Sequence, residues 1–277
     1  MTDRTYPAGV TSWVDVDTPD VDASTAFYSA LLGWTFEPAT PPDLPFRYLI
    51  AQLDGRDVGG LGGPAEPHGV PARWNTYVAV DDAEAAAAAV TAAGGRVLAP
   101  PTAAGEGGVN AVCADPSGSQ FRLWQAHARL GSQVTNEPGS WNFSDLHTSD
   151  RTAAERFYGE VFGWDFVDAG FGTMLRVPGY GDHLAGTVDP GIHERQAAVD
   201  APPGFADAIG WVLPEDDLGP GWHVTFAVAD RDNTAALAES LGGRVLRREE
   251  TGWTRVAVVE DPQGAVFTAS QFTPPSG

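Results

Sequence analysis

The chain has 277 residues, with 16 basic residues against 37 acidic ones and a formal net charge of −21. All 16 basic residues are arginine, which excludes every mechanism that requires a lysine, such as a pyridoxal-phosphate Schiff base or a P-loop. The acidity opposes contact with a phosphate backbone, so we expect no nucleic-acid partner.

Length and apolar content predict a globular protein of two domains. A hydrophobic fraction of 43% is enough to fill real cores. Cys113 is the single cysteine, so neither an internal disulfide nor a cysteine-rich zinc site is possible. The first ten residues lack an apolar segment, and no run approaches the roughly 18 apolar residues of a membrane span. We therefore expect a cytoplasmic protein with no membrane partner.

The predicted elements recur along the chain. SWVDVDTPDVDASTAFYSALLGWTF, from Ser12, returns from Phe143 as FSDLHTSDRTAAERFYGEVFGWDF. RWNTYVAVDDAEAAAAAVTAAGGRVL, from Arg73, returns from Gly221 as GWHVTFAVADRDNTAALAESLGGRVL. Each of these four segments begins with a short alternating strand, continues with an aspartate and a helical stretch, and precedes further short strands. This order predicts a β-α-β-β-β unit four times over.

Helix ends and core residues follow from the same repeats. The aspartates before the four helices are predicted N-caps: Asp20, Asp82, Asp150 and Asp230. Two glycine pairs are predicted to end the second and fourth helices: Gly94-Gly95 and Gly242-Gly243. The repeated aromatic residues are predicted to be core: Phe27, Tyr28, Trp34, Phe157, Tyr158 and Trp164.

The spacing between the copies is not constant. It is 130 residues from Phe27 to Phe157 but 148 residues from Trp74 to Trp222, so the second half holds about 18 additional residues. We assign them to PGYGDHLAGTVDPGIHERQ, from Pro178, which its composition predicts to be a loop. QAHARLGSQVTNEPGS, from Gln125, is the predicted linker. The predicted domains are residues 1–130 and 138–277.

The FY…LGW and FY…FGW segments, together with the DPSG and DPQG turns, resemble the vicinal oxygen chelate superfamily, which includes glyoxalase I, extradiol dioxygenases and bleomycin resistance proteins. The two fused halves are similar to two-domain actinobacterial glyoxalase-like proteins, often labelled hydroxylases. The resemblance covers nearly the whole chain. It implies an α+β fold in which four βαβββ units form two tandem half-barrel domains, each with a cleft for a small-molecule ligand. Neighbouring units are expected to complete each barrel, with exchange of units between halves as the alternative, in a monomer or a homodimer.

The resemblance also implies a divalent metal, held by His, Glu or Gln on cleft-facing strands. In the first half the corresponding positions carry Trp13, Asn75 and Arg122. An indole and a guanidinium do not ligate a cation, so we expect no metal in the first cleft.

In the second half the corresponding positions carry Phe143, His223 and Thr268. A divalent metal held by His223 is an open possibility there, beside a cleft without metal. The remaining ligand position falls near RDVGGLGG in the first half, where Asp57 is the candidate, and near DHLAGTV in the second half, where His183 is the candidate. In that case His183, His147 and Asp145 are expected to converge with His223; the alternative is that these histidines form hydrogen bonds within a polar cleft or face solvent.

Strand alternation assigns a ligand-binding wall to each cleft. In the first cleft the wall comprises Trp13, Asp15, Asn75, Tyr77, Arg122 and Trp124. The indoles suit a planar ligand, and Arg122 suits a carboxylate or phosphate; alternatively, Arg122 pairs with Asp15 or Asp17. In the second cleft Phe143 and Thr268 are predicted ligand contacts. His223 and His147 are candidate proton carriers there, with Asp145 orienting the imidazole.

Two functions are compatible with these walls. The first is a glyoxalase- or bleomycin-resistance-like protein that binds a small aromatic or anionic metabolite, with no metal in the first cleft. The alternative is an enzyme, either a glyoxalase-type lyase or isomerase or a dioxygenase-type oxidoreductase, that acts through the second cleft. A purely partner-binding role is a third hypothesis, although such a module has little use for two hollow sheets.

Overall fold

The computed structural model describes residues 3–64, 71–170, 172–198 and 201–273. The first half contains two βαβββ units, as predicted. The elements of the first unit are β1 (Thr11–Asp17), α1 (Val21–Leu32), β2 (Thr35–Pro38), β3 (Phe46–Leu53) and β4 (Arg56–Pro64). Those of the second unit are β5 (Arg73–Ala79), α2 (Ala83–Ala92), β6 (Arg96–Ala103), β7 (Gly108–Ala114) and β8 (Gln120–Ala126).

The second half repeats this order with an insertion. Its first unit contains β9 (Trp141–Thr148), α3 (Arg151–Phe162), β10 (Asp165–Asp168), β11 (Thr173–Arg176), α4 (Tyr180–Thr187), α5 (Ile192–Ala197) and β12 (Ala208–Pro214). Its second unit contains β13 (Gly221–Ala227), α6 (Arg231–Ser240), β14 (Arg244–Glu250), β15 (Thr254–Glu260) and β16 (Val266–Phe272). The predicted α+β fold class is therefore confirmed.

The strands form two eight-stranded sheets. The orders are β2-β3-β4-β1-β5-β8-β7-β6 and β10-β11-β12-β9-β13-β16-β15-β14. Within each unit the first and last strands pair in parallel, as β1 does with β4 and β5 with β8, and the remaining pairs are antiparallel. The domain boundaries at 1–130 and 138–277 stay a prediction.

The predicted helix caps are present. Each of the four aspartates accepts a hydrogen bond from a backbone N–H in the first turn of its helix, which satisfies one of the unpaired donors there. Gly94 and Gly242 have φ angles of 91° and 90°, a left-handed conformation that glycine adopts without steric cost. The next residues, Gly95 and Gly243, return hydrogen bonds to the last helical turns.

The inserted segment is helical, so its interpretation as a loop is wrong. It forms α4 and α5 despite its glycine and proline content. Buried Tyr180, Leu184 and Ile192 anchor both helices in a hydrophobic cluster, so tertiary packing outweighs the weak local propensity. The strand that pairs in parallel with β9 is β12, which follows the insertion.

Contacts divide the chain into two compact units that combine segments from both halves. The α2–α3 unit comprises Met1–Ser12, Thr76–Gly131 and Ser144–Trp222; the α1–α6 unit comprises Trp13–Asn75, Ser132–Phe143 and His223–Gly277. Each has its own hydrophobic core between helices and strands. Part of the predicted linker belongs to the core of the α1–α6 unit. Val134 is buried in this core, and Trp34 donates a hydrogen bond to the carbonyl oxygen of Gly139.

In the α1–α6 unit, helix α1 is joined to the turn before β16 by a buried hydrogen-bonded chain. Trp74 donates to the hydroxyl of Tyr28 at 3.2 Å, and Tyr28 donates to Asp261 Oδ2 at 2.7 Å. The other oxygen of Asp261 accepts from the backbone N–H groups of Gln263 and Ala265. The Asp-Pro-x-Gly turn is thereby fixed against the helix.

The α2–α3 unit contains an equivalent chain. Trp222 donates to the hydroxyl of Tyr158 at 3.0 Å, and Tyr158 donates to Asp115 Oδ2 at 3.1 Å. The repeated aromatic residues are buried, and Tyr158 stacks on Trp164 at a centroid distance of 4.9 Å. The prediction that these aromatic residues are core is confirmed. Cys113 is also buried in this core, where burial raises the pKa of its thiol to about 11.

None of the helices in the described residues is long and apolar enough to span a membrane.

The buried hydroxyl of Tyr28 predicts how stability changes at alkaline pH. Burial, reinforced by the Asp261 carboxylate, raises the pKa of Tyr28 well above its ordinary value. An unfolded tyrosine loses its proton near pH 10, so the stability contributed by Tyr28 is complete below about pH 10 and is lost as pH rises further. We expect Tyr28→Phe to lower the free energy of unfolding at pH 7 by about 1–3 kcal/mol. The variant should also lose less additional stability above about pH 10 than the wild type.

Urea unfolding at pH 7 and at several alkaline pH values measures both effects. Tyr158→Phe is the matched variant in the other unit, because burial also raises the pKa of Tyr158. An alkaline decline as steep in Tyr28→Phe as in the wild type would show that the Tyr28 hydroxyl is not the group that titrates.

Candidate functional site

On β1, the predicted wall residue Asp15 is the centre of a buried polar network. Its side chain is 0% exposed. Oδ2 accepts a hydrogen bond from the hydroxyl of Tyr48 at 2.9 Å, and Oδ1 accepts one from Nδ2 of Asn75 at 2.9 Å. Trp13 donates its indole N–H to the same Tyr48 hydroxyl at 3.0 Å. The structure thus brings Trp13, Asp15 and Asn75 together, and Tyr48 is a member that the sequence analysis missed.

Asn75 extends this network to a second carboxylate. Its Nδ2 donates to Asp17 Oδ2 at 3.0 Å as well as to Asp15, and its Oδ1 accepts from the guanidinium of Arg73 at 3.2 Å. The side-chain nitrogen of Asn75 therefore donates hydrogen bonds to two carboxylates of β1, those of Asp15 and Asp17. Asn75 is 6% exposed, so these bonds are made largely out of water, where they are strengthened by the low local dielectric.

The glycine-rich strand β4 makes room for Tyr48. A Cβ atom on Gly60 would lie 2.2 Å from the hydroxyl oxygen of Tyr48 and 3.1 Å from Cβ of Asp15. A Cβ atom on Gly62 would lie 2.9 Å from the Tyr48 ring. Packing therefore explains the GGLGG segment. Because Gly60 and Gly62 have no side chains, the phenol of Tyr48 can lie over β4 and reach Asp15.

In the α2–α3 unit a second group of predicted wall residues comes together. Tyr77 and Arg122 are directly paired across β5 and β8, and Arg122 Nη1 donates to the Tyr77 hydroxyl at 2.8 Å. The guanidinium carbon lies 5.4 Å from the centroid of the Tyr77 ring, within cation–π range. Trp124 meets Tyr77 edge-on at 6.3 Å, and its indole N–H donates to the carbonyl oxygen of Arg129. The resulting surface combines a cation with two aromatic rings.

These contacts show whether the first half suits the divalent metal that the resemblance implies. Asn75 uses its nitrogen toward carboxylates and its oxygen toward Arg73, while the indole of Trp13 offers only an N–H donor. Arg122 is cationic and has no lone pair for a metal. Asp57 accepts a hydrogen bond from Gln52, and the β4 positions beside Asp15 are glycines. The residues at the metal positions of the first half do not fit a divalent cation.

In the second half, β9 places His147 and Asp145 in the α2–α3 unit. His147 is 6% exposed, and its Nδ1 lies 3.2 Å from Oδ1 of Asp216. The same oxygen of Asp216 accepts from the backbone N–H of Leu218, which fixes the carboxylate. Asp145 accepts from the backbone N–H of Trp211 at 3.1 Å. Asp216, in the loop after β12, is thus a carboxylate partner of His147 that sequence reasoning missed; an orienting role of Asp145 stays a prediction.

The other residues assigned to the second cleft lie in the α1–α6 unit. Thr225 on β13 is paired with Thr268 on β16, and Ser270 on β16 is paired with Ala227. His223 lies two residues before Thr225 and therefore on the same face of the strand, while Phe143 lies near the middle of β9. Thr268 and Ser270 occupy the positions on β16 that Arg122 and Trp124 occupy on β8, and their side chains are much smaller. This face of β13 and β16 therefore carries the hydroxyls of Thr225, Thr268 and Ser270, together with His223 and Phe272.

His183 was expected on a strand beside the other histidines, and this is wrong. It lies on α4, and its Nε2 contacts the hydroxyl and carbonyl oxygens of Thr5, both at 3.1 Å. The last strand of this unit is β12, which follows the inserted helices α4 and α5. Across residues 3–64, 71–170, 172–198 and 201–273, no group of three or more His, Cys, Asp or Glu side chains is arranged to hold a metal ion. The expected convergence of His183, His147, Asp145 and His223 on a metal is therefore not found in the described residues.

The crossing of Tyr48 over β4 predicts the effect of adding one methyl group. Gly60→Ala should displace the phenol and break its hydrogen bond to the buried Asp15, lowering the free energy of unfolding by about 1–3 kcal/mol. Urea unfolding measures the change. Gly252→Ala is the matched control, since a Cβ atom there meets nothing within 4 Å and should change stability by less than about 0.5 kcal/mol.

A second background tests the mechanism. In Tyr48→Phe the hydroxyl oxygen nearest to the new methyl group is absent, so Gly60→Ala should cost less there than in the wild type. An equal cost in both backgrounds would show that the glycine is required for another reason.

Comparisons with known proteins place these sites in a family context. A family model described as a glyoxalase-like domain matches residues 13–124 and 143–270. CFP32 of Mycobacterium tuberculosis, which carries the name of a glyoxylase, is 33% identical over 276 residues and 97% of each chain. The anthracycline biosynthesis protein DnrV of Streptomyces peucetius is 33% identical over 281 residues, covering 96% of this chain and 94% of DnrV.

Solved structures with the same fold are more distant in sequence. The Mn(II)-bound glyoxalase of Novosphingobium aromaticivorans superposes with a TM-score of 0.60 at 18% identity, covering 97% of this chain and 84% of that one. The 2,3-dioxygenase LapB of Pseudomonas sp. KL28 superposes with a TM-score of 0.60 at 14% identity, covering 99% and 96%. At these identities the likeness concerns the fold alone.

Proposed function

Because the chain belongs to the glyoxalase-like family of the vicinal oxygen chelate superfamily, we propose that it binds a small aromatic anion on the surface of Tyr77, Arg122 and Trp124, without a metal ion in the first half. The fold hosts many reactions, so the function is argued from the side chains on the sheet faces.

The contact of Arg122 with the ring of Tyr77, which Trp124 meets edge-on, is the observation that carries this proposal. The hydrogen bond to Tyr77 orients the guanidinium, while Arg122 and Trp124 both keep part of their surface exposed. A guanidinium presents paired N–H donors that match a carboxylate, and an indole offers a flat apolar surface to a planar ring. Arg122 and Trp124 are two residues apart on β8 and therefore project to the same face of the strand, where they suit a planar anion.

The names of the relatives agree with an aromatic ligand. DnrV and DauV, each 33% identical to this chain, are both named as anthracycline biosynthesis proteins. Anthracyclines are planar molecules with fused rings, so a surface of aromatic and cationic side chains would suit compounds of that shape. The side chains at the implied metal positions of the first half do not suit a cation. They therefore support binding of the ligand without a metal ion.

Catalysis is the second candidate function, and the buried pair of His147 and Asp216 favours it. A carboxylate at Nδ1 holds an imidazole in one orientation and stabilises its protonated form. Nε2 is then the nitrogen that accepts a proton. Proton transfer of this kind fits a lyase or isomerase of the glyoxalase type.

Binding of anthraquinone-2-carboxylate tests the proposal. Quenching of tryptophan fluorescence should saturate in the wild type. Arg122→Ala should weaken binding about tenfold or more, because it removes the charge-assisted contact. Arg122→Lys should lie between the two, since it keeps the charge but loses the planar fork.

Two controls make the result specific. Arg96→Ala removes an exposed arginine on β6 of the same unit and should leave the affinity unchanged. The neutral analogue 2-(hydroxymethyl)anthraquinone should bind more weakly and should not distinguish Arg122→Ala from the wild type. Equal affinity of wild type and Arg122→Ala for the carboxylate would contradict the proposal.

A further inference from the structure

We infer that the second half binds a small polyhydroxylated anion on the face of β13, β16, β15 and β14, with Arg247 as the residue that holds its phosphate or carboxylate. The inference rests on the proposed function, in which the corresponding face of the first half binds a metabolite, and it adds a residue and a ligand class for the second half. Every side chain involved lies in the α1–α6 unit.

Strand register places Arg247 on this face. Arg247 on β14 is paired with Val258 on β15, and Val258 is paired with Thr268 on β16, which is paired in turn with Thr225 on β13. Side chains of directly paired residues project to the same side of a sheet. The four residues therefore form one row across four strands.

The neighbouring residues lie on the other face. Arg248, one position further along β14, forms an ion pair with Glu239 of α6 at 3.6 Å and so faces the helix. Phe267 and Ala269, which flank Thr268, are fully buried in the core of this unit. Arg247 thus projects away from the helix-covered core, on the side of Thr225 and Thr268.

The equivalent row of the first half has different chemistry. It consists of Ala99, Val112, Arg122 and Tyr77 on β6, β7, β8 and β5. The guanidinium thus stands on β8 in the first half but on β14, at the sheet edge, in the second. Thr268 replaces Arg122, and Thr225 replaces Tyr77. The second row is lined by small side chains over three strands, with its cation at one end.

These residues specify the ligand class. Arg247 is partly exposed and offers paired N–H donors to a phosphate or carboxylate. The hydroxyl groups of Thr225, Thr268 and Ser270 both donate and accept hydrogen bonds, as the hydroxyls of a sugar do. His223 and Phe272 lie on the same face outside the row, whereas the row itself combines the Arg247 cation with threonine hydroxyls and therefore suits a hydroxylated anion.

Glu249 supplies an internal competitor. Its Oε1 lies 2.9 Å from Nε of Arg247, and the two residues, two positions apart on β14, share a face. A bound anion must share the guanidinium with this carboxylate and is repelled by it. Removal of the negative charge at residue 249 is therefore expected to strengthen anion binding.

Titration of the full chain with D-glucose 6-phosphate, followed by ³¹P NMR at low salt, tests the inference. Arg247→Ala should weaken binding about tenfold or more, and Arg247→Gln should behave alike while keeping most of the side-chain volume. Glu249→Gln should strengthen binding severalfold. Arg248→Ala, on the opposite face of the same strand, is the matched control and should bind as the wild type does.

The outcomes separate this inference from the proposed function. Arg122→Ala should leave binding of glucose 6-phosphate unchanged while it weakens binding of anthraquinone-2-carboxylate. If the latter ligand behaves as expected but Arg247→Ala or Glu249→Gln leaves the affinity for glucose 6-phosphate unchanged, this inference is overturned and the proposed function stands. If neither anion binds the wild-type chain, both are overturned.

Discussion

Buried hydrogen bonds between a tyrosine hydroxyl and an aspartate fix each compact unit, one from Tyr28 to Asp261 and the other from Tyr158 to Asp115. Each joins a helix of one half of the chain to an Asp-Pro-x-Gly turn of the other half. The hydroxyl must stay protonated to donate, and its burial raises the pKa of both tyrosines accordingly. The two turns lie directly before β8 and β16.

The opposite strand faces are where the two halves have diverged. Both halves keep the same order of elements and the same caps, yet Arg122 and Tyr77 of the first half correspond to Thr268 and Thr225 of the second. The first half also carries the hydrogen-bonded network around Asp15, a residue with no exposed surface. In the first half, the side chains at the metal positions that the resemblance implies make hydrogen bonds, and the Arg122 row adds ring contacts; the equivalent row of the second half carries Thr268 and Thr225.

Much of the fold was predictable from the sequence because it depends on local and repeated signals. Capping aspartates, glycine pairs and the FY and GW segments recur at fixed spacing, and Asp20 and Asp230 satisfy backbone donors within their own helices. The inserted helices were not predictable, because α4 depends on contacts of Tyr180 and Leu184 with residues distant in the sequence.

The candidate sites were predictable only in part for the same reason. Parity along single strands assigned Trp13, Asn75 and Arg122 to the predicted walls. It did not find Tyr48, whose phenol crosses β4 because Gly60 leaves space, or Asp216, which reaches His147 from a loop. Nothing in the sequence indicates the face of Arg247, because a bulge between Val245 and Arg247 shifts the register of β14 and simple alternation does not hold there.

A crystal structure of the protein grown with Mn²⁺ and anthraquinone-2-carboxylate, with anomalous data at the manganese edge, tests most directly whether ligand recognition has replaced metal coordination in the first half. The account predicts density for the carboxylate against the guanidinium of Arg122 and no anomalous peak at Trp13, Asn75 or Arg122. A manganese ion bound at any of these positions would contradict it.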